Sequence, residues 1–115
     1  MSQHIYTQSR PDGTQVVTTV CYDRVLGEFF MNVRAGTAND AEMLYTSLGD
    51  PLGCEADLEH YAGKLRELGL TAPQSLFDQT LEDACNNTGN RVAVHQADGT
   101  FTEVVPQQQF DRPRG

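Results

Sequence analysis

Apolar and polar positions alternate with a period of two through much of the first half of the chain. In Thr14-Gln15-Val16-Val17-Thr18-Thr19-Val20-Cys21-Tyr22, Val16, Val20 and Tyr22 fall on one side, and Val17, Thr19 and Cys21 on the other. That alternation, with so many β-branched residues, predicts a strand. Glu28-Phe29-Phe30-Met31-Asn32-Val33-Arg34 predicts another, with Phe29, Met31 and Val33 opposite Phe30, Asn32 and Arg34. His4 to Ser9 is a shorter candidate strand, closed by Arg10-Pro11-Asp12-Gly13, a turn with proline at its second position and Asp-Gly after it. Asp23 to Gly27 connects the second and third strands. Glu42 to Leu48 reads as a fourth strand or, behind Asn39, as a short capped helix; Gly49-Asp50-Pro51 closes it like a turn and favours the strand.

The period then changes. Leu58, Tyr61, Ala62, Leu65 and Leu68 recur at spacings of three and four, one face of a helix, with Gly69 placed as its C-terminal cap and Leu70 able to fold back on the last turn. Pro73 opens a second helix whose stripe is Leu76, Phe77, Thr80, Leu81, Ala84 and Cys85, ended by Asn86-Asn87-Thr88-Gly89. Arg91 to His95 and Phe101 to Val105, joined through Asp98-Gly99, predict a hairpin. From Pro106 the chain is Gln-rich and reads as a flexible tail. The expected architecture is a single α+β domain over residues 1–105, in which an antiparallel β-meander carries a two-helix hairpin on one face and ends in a C-terminal β-hairpin, followed by a tail over 106–115.

Phe29 and Phe30 cannot both point into one core, and two short helices cover one sheet face. A second apolar face, centred on Val17, Cys21 and Phe30, is therefore expected to meet a partner. A second copy of the chain, making a homodimer, is the commonest such partner.

Composition narrows the class. With 115 residues, 38% of them hydrophobic and 21% charged, the chain fits one ordinary globular domain. No stretch approaches the ~20 apolar residues of a membrane helix, and the N-terminus lacks the pattern of a secretory signal. Three scattered cysteines, Cys21, Cys54 and Cys85, make no disulfide framework, so reduced thiols and a cytoplasmic location are expected. Sixteen acidic residues against eight basic ones give a net charge of -8, which opposes direct binding to nucleic acid. Asn39 to His60 holds Asp40, Glu42, Asp50, Glu55, Asp57 and Glu59 with no Lys or Arg. Asp50, Glu55, Asp57 and Glu59 are thus the candidate acidic face for a basic partner, and Asp78, Glu82 and Asp83 add to the negative balance on the second helix.

Catalytic and cofactor signals are fragmentary. Cys54 and His60 lie six apart and Cys85 and His95 ten apart, without the close pairing of a zinc site. Cys54, after Gly53 near a helix start, is the best candidate nucleophile, with His60 or His95 as base. A partly buried structural cysteine is the plainer alternative, as is a buried Cys85 on the second helix. Asp23 and Glu28 flank a turn, where Asp23 could pair with Arg24, without the context of a carboxylate dyad. No glycine-rich phosphate loop follows a strand and opens a helix. No cofactor and no metal are expected.

The run Tyr22-Asp23-Arg24-Val25-Leu26-Gly27-Glu28-Phe29-Phe30-Met31, with Leu44-Tyr45 and Leu65-Leu68-Gly69 behind it, resembles a group of small uncharacterised proteobacterial proteins over roughly residues 4 to 90. The resemblance implies no activity and no functional residue. The expected function is therefore non-enzymatic: a binding or regulatory protein acting through protein–protein contacts. A concrete version is an acidic accessory or inhibitor protein of a phage or mobile element that blocks a basic, nucleic-acid-binding partner. The alternative is a small enzyme or small-ligand binder with a pocket between sheet and helices.

Overall fold

The structure, a computed structural model, describes residues 2–36, 42–51 and 57–104. It is α+β, with one six-stranded sheet and two helices. In chain order these are β1 (Ser2–Ser9), β2 (Gln15–Asp23), β3 (Glu28–Ala35), β4 (Glu42–Thr46), α1 (Leu58–Glu67), α2 (Gln74–Asn86), β5 (Arg91–His95) and β6 (Phe101–Val104). The strands lie in the order β4-β3-β2-β1-β5-β6. β1 to β4 form the expected antiparallel meander. Glu42–Thr46 is a strand, and Ser47–Gly49 a single 3-10 turn after it.

The sheet as a whole is mixed, because β5 pairs with β1 in parallel, from Ser2↔Arg91 to Tyr6↔His95. The two helices supply the crossover that a parallel pairing requires. β5 and β6 then close as the expected antiparallel hairpin.

The turn chemistry follows the residues. Gly13, at φ 89°, donates its N–H to the Arg10 carbonyl at 2.8 Å, while Asp12 Oδ1 accepts from the Thr14 N–H. α1 begins at Asp57, whose side chain accepts the His60 N–H at 2.8 Å. It ends with Gly69 at φ 75°, Leu70 N–H bonded to the Leu65 carbonyl and Gly69 N–H to that of Arg66, the paired closure that an αL glycine permits.

Both helices pack on one face of the sheet. Tyr6, Val16, Val20, Met31, Val33 and Ala35 meet Tyr61, Leu65, Leu70 and Leu76 there in a single core. α2 is rotated from its predicted stripe. Its buried residues are Leu76, Thr80 and Asp83, whereas Leu81 is 51% exposed and Cys85 is exposed. The expectation of a buried Cys85, and that of Asp83 on an acidic surface, are thereby corrected. Asp83 lies seven residues after Leu76, on the same helix face, and partners waiting under that face make its burial tolerable.

Candidate functional site

β1, β5, β6 and α2 bring together a buried polar cluster. His4 shares the core side of β1 with Tyr6, and His95 shares that of β5 with Ala93. The parallel pairing of these strands sets the two rings beside each other, with His4 Nδ1 and His95 Nε2 2.9 Å apart. His4 Nε2 lies 2.6 Å from Asp83 Oδ2, and His95 Nδ1 lies 2.9 Å from Ser75 Oγ. Arg91 donates to Asp83 Oδ1 at 2.7 Å, to Gln79 Oε1 at 3.0 Å and to Glu103 Oε2 at 3.1 Å. Phe101 stacks on the His95 ring with centroids 5.1 Å apart.

These contacts fix the protons. Burial alone pushes the Asp83 carboxyl up, but the bonds from His4 and Arg91 outweigh it and hold Asp83 below its ordinary value. Asp83 is therefore a carboxylate and can only accept. His4 must donate from Nε2, which leaves its Nδ1 to accept from His95 Nε2–H. His95 Nδ1 then accepts from the Ser75 hydroxyl. Every hydrogen bond points the same way, from Ser75 to Asp83. Burial also keeps both rings neutral. It lowers His4 below its usual value in spite of Asp83, and together with the repulsion a second proton on the His4–His95 pair would meet and the nearby Arg91 charge it pushes His95 down to about 4.

The chain Ser75–His95–His4–Asp83 has the donor order of a relay to a nucleophile, but two features weigh against that use. A His95 held at about 4 is a poor base for a serine near neutral pH. Moreover, the cleft of about 530 Å³ between α1 and α2 is lined by Leu58, Ala62, Leu65, Phe77 and Leu81, and neither Ser75 nor any histidine reaches it. The cluster is best understood as a clamp that ties α2 to β1, β5 and β6.

A second His–Asp pair lies at the other end of the helical layer. Asp50, whose side chain is 2% exposed, accepts from His60 Nε2 at 2.7 Å and from the Tyr45 hydroxyl. Burial first, and then the Asp50 carboxylate, push the Tyr45 hydroxyl up. Tyr45 is thus the donor in that bond.

The residues singled out from the sequence fall as follows. Asp50 is not on an open acidic face, because it is enclosed by Tyr45 and His60. Asp57 is exposed but serves as the α1 cap, and Glu59 is exposed in the first turn. Cys54 and Glu55 lie outside the described residues, as does the tail over 106–115. Asp23 accepts from the Val25 and Leu26 N–H groups across its turn, the turn role rather than an ion pair with Arg24. Among the described residues, no group of three or more His, Cys, Asp and Glu is arranged to hold a metal ion, and no helix is long and apolar enough to cross a membrane.

Val17, Cys21 and Phe30 do share one face, the side of the sheet away from both helices. Strand register arranges that face in rows. Phe30, Cys21, Gln3, Val92 and Val104 form one, and Asn32, Thr19, Ile5, Val94 and Thr102 the next. Arg34, Val17 and Thr7 form a third. Phe30, Val17, Ile5, Val92 and Val94 are half-buried, Cys21 is buried between its neighbours, and Val104 is 46% exposed. A scan against protein-family models finds no match, and searches of curated proteins and of solved structures find none either.

Proposed function

We propose that the chain is a small protein-binding domain that pairs with a second copy of itself through the helix-free face of its sheet. The carrying observation is that both helices lie on one side of six strands, while Ile5, Val17, Cys21, Phe30, Val92, Val94 and Val104 lie on the other. Five strand spacings of ~4.8 Å and strands of about 20–25 Å give the face a projected area on the order of 500–600 Å². With the exposed Val25–Leu26 turn at its border, that approaches the ~800 Å² per partner of a stable interface. Phe30 is already half-buried in the single chain, so covering its remaining surface contributes on the order of 1 kcal/mol.

Charge favours a second copy as the occupant. The chain carries a net charge of -8, yet the middle of this face holds only apolar and neutral side chains. Two copies can approach there without facing acid against acid. Their helical layers, with Glu59, Asp78 and Glu82 exposed, then point away from each other. That outward acidic layer is the side that suits a basic protein partner, in keeping with a regulatory role.

Phe30→Asp tests the proposal directly. The variant is expected to keep its far-ultraviolet circular dichroism and to elute as a monomer where the wild type elutes as a dimer. A variant that loses its fold would place Phe30 in the core and contradict the proposal, and so would a variant that remains dimeric.

A further inference from the structure

Building on that pairing, we infer that the two copies cross with their β3 strands antiparallel, so that Arg34 of each copy meets Glu28 of the other. Charge falls unevenly along the open face. Alternation along β3 puts Glu28, Phe30, Asn32 and Arg34 on this side. Glu28 lies at one end, beside Asp23 of β2, and Arg34 at the other, beside Val17. Arg34 is exposed, and neither Arg34 nor Glu28 takes part in an ion pair among the described residues. The face is therefore acidic at one end, neutral in the middle and basic at the other.

Two sheets meeting face to face about a two-fold axis have two simple arrangements. If the axis runs along the strands, strand order reverses, both Arg34 residues fall at one end of the interface and both Glu28–Asp23 ends at the other, and neither charge meets its opposite. An axis running across the strands reverses their direction, so each Arg34 lies over the partner's acidic end and two such contacts form at once. Rows then exchange partners as well. The row of Phe30, Cys21, Gln3 and Val92 lies over the row of Asn32, Thr19, Ile5 and Val94. Val92 meets Val94, and Phe30 packs beside Asn32 instead of against its own copy. A rim pair of this kind fixes orientation more than it adds affinity.

Sedimentation equilibrium of wild type, E28R, R34E and the double variant E28R/R34E tests the arrangement. Each single reversal is expected to raise the dimer dissociation constant about tenfold, and the double variant to return it to within about threefold of wild type. The wild-type constant should also rise with salt, a measurement that needs no variant. Singles without effect, a double no better than the singles, or a constant that falls with salt would overturn the arrangement. If Phe30→Asp still gives a monomer in that case, pairing through this face survives and only the orientation fails. A wild type that is monomeric throughout would overturn both.

Discussion

Acid should loosen this protein well above the pH at which most of its carboxylates titrate, and the histidine pair sets the window. His95 has an ordinary value of 6.5 and is pushed down to about 4 in the fold, principally by burial. Below pH 6.5 the unfolded chain takes up a proton that folded His95 refuses until pH 4. Stability supplied by the neutral ring is fully present above 6.5 and is lost as pH falls towards 4. His4 is lowered as well and acts in the same direction, as does Asp83 further down. At about 1.4 kcal/mol per pH unit, His95 alone removes about 2 kcal/mol between pH 7 and pH 5. With a urea slope of ~1–2 kcal/mol per molar for a domain of this size, the midpoint should move down by about 1–2 M. Urea titrations followed by circular dichroism at fixed protein concentration can measure this while staying above the isoelectric point of about 4.6. His95→Gln should flatten the dependence. A wild-type midpoint that does not change from pH 7 to pH 5 would refute the neutral, buried histidine pair.

Three further outcomes follow from the same contacts. Asp83→Asn strips the carboxylate from His4 and Arg91 and should cost about 3–5 kcal/mol, read as a fall in the urea midpoint; a loss below ~1 kcal/mol would contradict the clamp. The Thr18 hydroxyl is buried with no hydrogen-bond partner among the described residues, so the near-isosteric Thr18→Val should raise the thermal midpoint, by about 1 kcal/mol of stability, and a lowered midpoint would show a partner at that site. Cys85 is exposed, whereas burial holds the Cys21 thiol up at about 11. A thiol reagent should therefore modify Cys85 in the native protein and Cys21 only after unfolding, and fast labelling of Cys21 in the Cys85→Ser variant would be the contrary result.

The local elements were legible because each has a local cause. Alternation marked β2 and β3, Asp-Gly pairs marked two turns, and Gly69 with Leu70 marked the end of α1. The parallel joining of β5 to β1 was not legible, since nothing in either strand specifies a partner some ninety positions away. The buried cluster was missed for a related reason. His4 is 91 residues from His95 and 79 from Asp83, so no spacing motif could join them. Weaker signals were present. His4 and Tyr6 share a parity in β1, and Asp83 lies on the Leu76–Thr80 stripe. Polar side chains at core positions of three elements are a reason to expect them to be one another's partners. The acidic face failed in part because Asp50 and Asp83 were counted as charges without asking which side of their elements they occupied.

The mass of the wild-type protein in solution bears most directly on the helix-free sheet face. Light scattering across a dilution series at neutral pH should give twice the chain mass of 12.7 kDa at high concentration, falling towards 12.7 kDa as the protein is diluted. A mass of 12.7 kDa at every concentration would contradict self-pairing through that face.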